Sequence, residues 1–195
     1  MRKTLLALAA LALLWIGYLA WPLYDLGKLA RAIERRDLPT ITKRVDFPRV
    51  RASLTQQIVE AYFQRSGTRA NPLLQGAAAS IADPIVAAII SPEALAELLR
   101  VGWPSTLLPE EPPRDAVGIS IAGLGTAWEL FMASDYGFGR YEATVPVSYA
   151  PERAFGVQLR LAKWRWRLSA VRLPERIRRQ LADEIVKQMR PPQSP

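Results

Sequence analysis

Residues Thr4–Tyr24 read TLLALAALALLWIGYLAWPLY, a stretch without one charged side chain. A helix that crosses the hydrocarbon core of a bilayer needs roughly 20 apolar residues at about 1.5 Å each. This stretch has that length. A cleavable export signal has a shorter apolar core, about 7 to 15 residues, followed by small residues at the cut. Here Trp15, Ile16, Tyr18, Leu19 and Trp21 stand where small residues would be required. The stretch therefore predicts a retained signal-anchor helix that meets membrane lipid through residues 4–24. Trp21 and Tyr24 suit the far interface, because amphipathic rings favour headgroup depth. The alternative is a long signal peptide that is removed, leaving a secreted protein.

Orientation follows from what flanks the run. Arg2 and Lys3 precede it, and Lys28, Arg31, Arg35 and Arg36 follow it, so a count of cations does not decide. A basic start before an apolar run is the usual export signal. The expectation is a single-pass protein of a bacterial inner membrane, with its N-terminus inside and its body in the periplasm.

Beyond the anchor, about 170 residues remain, enough for one domain with a real core. The chain has 195 residues and is half hydrophobic, with 16 prolines, no cysteine and no histidine. Without cysteine there are no disulfides, thiolate metal sites or thiol nucleophiles. Without histidine, His-containing triads, His-ligated zinc and imidazole bases are excluded. No Walker loop, dinucleotide fingerprint, GxSxG or metal-ligand spacing occurs. Gly118, Gly123, Gly125, Gly137 and Gly139 form no phosphate cradle, since neither a binding lysine nor a helix start follows at the right interval. No cofactor and no metal is expected. The formal net charge is +8, and from Pro151 onward eleven Lys and Arg face four acids.

After the anchor, Leu23, Leu26, Leu29, Ala30 and Ile33 recur at helical spacing. Asp37, Asp46, Asn71, Asp83 and Ser91 each precede a proline at once or nearly so. A capping side chain followed by proline marks a helix start. These positions predict a series of short helices, with Val50, Leu54, Ile58, Ala61 and Tyr62 as the buried stripe of the one after Asp46. Gly67 and Gly102 mark helix ends. Residues Pro72–Ile90, charged only at Asp83, read as a buried helix pair, with a re-entrant membrane segment as the alternative.

Pro104, Pro109, Pro112 and Pro113 make a connector, and the chain beyond it alternates with period two. Four strands are predicted: Thr126–Tyr136 with Trp128, Leu130 and Met132 on one face; Arg140–Tyr149 with Tyr141, Ala143, Val145 and Val147; Ala154–Leu161 with Phe155, Val157, Leu159 and Leu161; and Trp164–Arg172 with Trp164, Trp166, Leu168 and Ala170. Short connections imply an antiparallel meander. Pro146 suggests an edge position for the second strand, because proline cannot donate to a ladder. A terminal helix follows Pro174, with Ile177, Leu181, Ile185 and Met189 as its stripe. The fold class is α+β: a transmembrane helix (1–24), a helical half (25–103), a connector (104–115), a four-stranded antiparallel half with a C-terminal helix (116–190), and a tail (191–195).

Three sets of residues are candidates for function. Trp128, Tyr141, Trp164 and Trp166 could line an apolar pocket, since ligand sites are concave and mostly apolar; the plain alternative is core between sheet and helices. Arg160, Arg165, Arg167, Arg172, Arg176 and Arg179 could hold anionic lipid headgroups, each cation near such a surface contributing about 1 kcal/mol. The plain alternative is a solvated sheet face. Nucleic acid is not expected as a partner, because no recognised motif is present. Glu129, Asp135 and Glu142 could converge as a carboxylate pair for acid/base work. Asp46 and Asp83 read as helix caps before they read as catalytic carboxylates.

Taken together, ERRD (Glu34–Asp37), VDFP (Val45–Pro48) and WRL…LP (Trp166–Leu168 and Leu173–Pro174) resemble an uncharacterised family of bacterial membrane-anchored proteins, a domain of unknown function. The resemblance implies an envelope protein and no activity. Helices followed by a curled antiparallel sheet are also similar to cystatin-like and nuclear-transport-factor-like cones, an analogy of fold alone. The functional expectation is non-enzymatic: a binding or scaffold domain for a partner protein, or for an apolar or lipid-like ligand at the membrane surface. The competing reading is a small hydrolase that uses carboxylates.

Overall fold

The structure is a computed structural model and describes residues 2–66, 72–105, 111–112, 116–150 and 153–189. Its first element is one helix, α1 (Arg2–Glu34), which runs without a break from the apolar stretch into the body. The side chains of residues 2–17 are all exposed, and those of Leu26, Leu29, Ala30 and Ile33 are buried. One rod therefore has two unlike halves. Its first half carries apolar residues on every side, and its second half turns an apolar stripe to the core. It is long and apolar enough to cross a membrane.

Asp37 begins α2 (Leu38–Arg44) by accepting from the Thr40 amide. Asp46 accepts from the Arg49 amide at the start of α3 (Phe47–Ser66). Ser91 does the same for Ala94 in α5 (Pro92–Val101), which Gly102 ends in the left-handed conformation at φ 79°. Asp83 does not cap a helix. It lies inside α4 (Pro72–Ile89), a single helix that continues through Pro84. Arg51 of α3 holds the Asp83 carboxylate with two hydrogen bonds, of 2.9 and 2.5 Å. Ala78, Ala82, Ile85 and Val86 keep one buried stripe across the proline. Burial along that stripe outweighs the local stop signal, although an interior proline costs about 3 kcal/mol. Nor is this segment a buried helix pair, for Leu73 and Leu74 are exposed. Asn71, Gly67, most of the predicted connector and the tail lie outside the described residues.

The sheet is a meander in the order β1-β2-β3-β4, antiparallel throughout, of β1 (Ser134–Gly137), β2 (Arg140–Val145), β3 (Phe155–Ala162) and β4 (Arg165–Arg172). The predicted first strand is mostly a helix, α6 (Ala127–Met132), preceded by a single 3-10 turn. Thr126 and Glu129 form a capping box there: each side chain accepts from the other's amide. Strand β2 is internal, and Pro146 lies just past its end.

One face of the sheet buries Tyr141, Ala143 and Val145, then Phe155, Val157 and Leu159, then Trp166 and Leu168. In β4 the alternation slips. Leu168 pairs with Leu159 and Ala170 with Gln158, leaving Ser169 over as a bulge whose hydroxyl donates to the Gln158 carbonyl at 3.2 Å. Beyond it Val171 takes the core face in place of Ala170. Helix α3 crosses this face, and α7 (Glu175–Met189) packs beside α3. Gln57 of α3 donates to the Val171 carbonyl at 2.7 Å and accepts from the Leu173 amide at 3.0 Å, tying helix to strand end. Ile177 and Leu181 of α7 are buried as expected; the side chains of Ile185 and Met189 lie outside the described ones.

Two of the motifs meet in space. The Asp46 amide donates to the Leu168 carbonyl at 2.8 Å, and the Arg167 guanidinium donates to the Val45 carbonyl at 3.0 Å. VDFP thus covers part of the outer edge of β4, which would otherwise offer unpaired backbone groups to another chain.

Candidate functional site

The site lies where α1 leaves the body. Both two-residue hairpin turns, Phe138–Gly139 between β1 and β2 and Lys163–Trp164 between β3 and β4, fall at one end of the sheet, where the Leu161 amide donates to the Gly139 carbonyl at 2.9 Å. Tyr18 of α1 reaches both hairpins. Its hydroxyl accepts from the Gly139 amide at 3.0 Å, and its ring lies 6.3 Å from that of Trp166. The Trp15 ring lies one turn further out, 6.0 Å from that of Tyr18 and tilted against it.

Between α1, α2 and the second hairpin opens a cleft of about 460 Å³. Trp21, Tyr24, Asp25 and Lys28 come from α1. Thr40, Lys43 and Arg44 come from α2, and Trp164 through Arg167 from the hairpin. Five cations thus face one carboxylate, the buried Asp25, which Arg44 already holds at 2.7 Å. Lys28 stands over the Tyr24 ring at 4.4 Å, within cation–π range. Among the described residues Lys43 and Arg165 make no salt bridge, and the buried Nε of Arg167 has no hydrogen-bond partner. Cationic donors with aromatic walls are the chemistry of a phosphate or carboxylate on an amphipathic molecule.

The four aromatics expected in one pocket are not brought together. Tyr141 and Trp166 are core residues, while Trp128 is 69% exposed on α6 and Trp164 is 80% exposed at its hairpin tip. Trp128 belongs to a row of rings with Phe131, Tyr136 and Tyr141, spaced 5.9, 5.3 and 5.1 Å. Burial pushes the Tyr136 hydroxyl up to about 12 and raises that of Tyr141 further, although Ser134 hydrogen-bonds the latter at 2.8 Å. The phenols stay neutral and serve as packing.

The six arginines do not form one patch either. Arg165 and Arg167 line the cleft, and Arg160 pairs across the sheet with Arg167. Arg172 is at the other end of β4, 3.5 Å from Glu142. Arg176 and Arg179 are on α7, where Glu175 holds Arg179 at 2.9 Å. Of the three carboxylates, Glu129 is committed to its cap, and Glu142 pairs with Arg140 at 2.9 Å and with Arg172. Asp135 stands opposite Glu142 in the ladder. Among the described residues no three potential metal ligands cluster.

Lys28, Lys43, Arg44 and Phe138 were not legible as site residues. Their shared position comes from helix packing across long sequence separations. Only Phe138 had a local signal, a large apolar residue between two turn glycines.

Residues 11–98 match the model of a family described as a protein of unknown function (DUF2939). The DUF2939 match includes VDFP and stops before the sheet, so WRL…LP lies beyond it. Within the DUF2939 region fall Trp21, Tyr24, Lys28, Lys43 and Arg44, from the helical side of the cleft. No curated protein and no solved structure matches the chain.

Proposed function

We propose that this chain is a single-pass protein of a bacterial inner membrane, its anchor retained and its body periplasmic, that binds an anionic lipid headgroup beside its own anchor. The role is binding rather than catalysis. The observation that carries this reading is the cleft: five cations and the rings of Trp21, Tyr24 and Trp164 gather at the root of the helix long enough to cross a membrane. A headgroup phosphate would meet Lys43 and Arg165, and the aromatic walls suit the depth at which such phosphates lie.

Native mass spectrometry of the full chain, released from mixed phosphatidylglycerol and phosphatidylcholine nanodiscs, tests this. Retained phosphatidylglycerol is expected, and its loss in the double variant Lys43→Glu, Arg165→Glu. Equal retention of both lipids, unaffected by the variant, would overturn it. A partner protein is the second reading. It draws on the groove of about 840 Å³ between α3 and α4, walled by Ala52, Val59 and Phe63 on one side and Ala79 on the other.

A further inference from the structure

The part of α1 that stands clear of the body is too short for the membrane it would cross. Tyr18 is the first residue bound to the sheet. The apolar residues before it, Thr4–Gly17, number 14. At about 1.5 Å each they reach about 21 Å, against a hydrocarbon core of about 30 Å. The shortfall of about 9 Å corresponds to roughly six more helical residues, which are those flanked by the hairpins. Tilting the rod enlarges the deficit.

The sheet end beside α1 is built for lipid. Phe138, at the first hairpin tip, is fully exposed to solvent and shares an apolar groove with Leu11, Leu14 and Trp15. It therefore reaches back along the free half of the rod by about two turns. Trp164, at the second tip, stands level with Trp21 and Tyr24. Lys163 and Trp164 both hold positive φ, 50° and 60°, a conformation that costs a bulky side chain energy. That turn thrusts an indole outward. Entry into hydrocarbon also requires paired backbone groups. At Gly139 both are paired: the amide donates to Tyr18 and the carbonyl accepts from Leu161.

From these observations we infer that the body is partly immersed. The Phe138 tip enters the hydrocarbon beside the anchor, and the Trp164 tip rests at headgroup depth. The bilayer itself is the partner of this surface. Its apolar face continues that of α1, while Arg140, Lys163 and Arg165 flank the tips where cations can reach phosphates. The inference requires α1 to span the membrane. It does not require the headgroup cleft.

The absence of cysteine allows single spin labels to be placed cleanly. Variants L8C, F138C, W164C and S148C of the full chain, labelled and reconstituted in phosphatidylglycerol–phosphatidylcholine vesicles, would be read for collision with oxygen and with a water-soluble nickel chelate. Residues 8, 138, 148 and 164 are all exposed in the protein, so folding should be kept. Expected are lipid-buried labels at 8 and 138, a headgroup-depth label at 164, and an aqueous label at 148, beyond the far end of β2. The oxygen-to-nickel ratio at 138 should exceed that at 148 several-fold. A label at 138 as water-accessible as that at 148, with the label at 8 in lipid, would overturn immersion and leave the single span intact. A water-accessible label at 8 would remove the span and the inference with it.

Discussion

At the scale of single residues, several polar side chains organise backbone, and Glu129 is the clearest case. Its carboxylate accepts from the Thr126 amide at 2.7 Å and from the Thr126 hydroxyl at 2.9 Å. The amide bond, then the hydroxyl, holds its pKa below the ordinary value of 4.5. A carboxyl whose folded value is depressed stabilises the fold above its unfolded value and loses that contribution as pH falls through the folded one. The difference in thermal stability between the native chain and Glu129→Ala should therefore be full near neutrality and shrink below about pH 4.5. A difference that stays constant into acid would refute the charged cap. The TAWE spelling of this box was present in the sequence, a Thr-x-x-Glu signature. It was masked by the apparent alternation of Trp128, Leu130 and Met132, because six residues are too few to separate a period of 2 from one of 3.6. Asp46 behaved as a cap, as read, whereas Asp83, with the same local spelling, did not. What separates them is the buried stripe that carries α4 on through Pro84 and leaves Asp83 to pair with Arg51, 32 positions away in sequence.

At the scale of elements, joints between helices and strands carry the tightest tolerances. Gly118 is the extreme example. A Cβ there would stand 2.0 Å from the Arg100 carbonyl oxygen and 2.6 Å from that of Leu99. Both are backbone atoms at the end of α5, and Ile119 is bonded there to the Leu99 carbonyl at 2.5 Å. Gly118→Ala must push the segment away from α5, at a cost of about 2 to 4 kcal/mol. Thermal unfolding should show a fall of many degrees in Tm, and an unchanged Tm would contradict this close approach. The bulge at Ser169 is the other joint of this kind. Strand periodicity correctly placed Trp166 and Leu168 inward, and then failed at Ala170, since one inserted residue reverses every side chain beyond it.

At the scale of the whole molecule, α1 joins a half long and apolar enough to cross a membrane to a half packed in the core, and that continuity argues against its removal. Cleavage near Trp21 would discard Tyr18 and leave the Gly139 amide and the Trp166 ring without their partner. The protein in the membrane fraction should therefore keep its N-terminal peptides by mass spectrometry. A mature N-terminus at Trp21 or later would refute retention.

The long apolar N-terminal helix, the run of helices before a four-stranded antiparallel meander, and the closing helix were all determined by local pattern: apolar length, capping spellings and alternation. Such signals need no partner, since they express what each segment does with its own backbone and its own two faces. The cleft and the paired hairpin tips were decided only by tertiary structure. Lys28, Lys43 and Arg44 are scattered along the chain, and nothing in their neighbours distinguishes them from solvated charges. They become one feature because burial of Leu26, Leu29, Ile33 and Ile41 with Trp166 and Leu168 brings the ends of α1 and α2 against the sheet. Burial is a collective free energy, and the positions it brings together cannot be read from any single stretch.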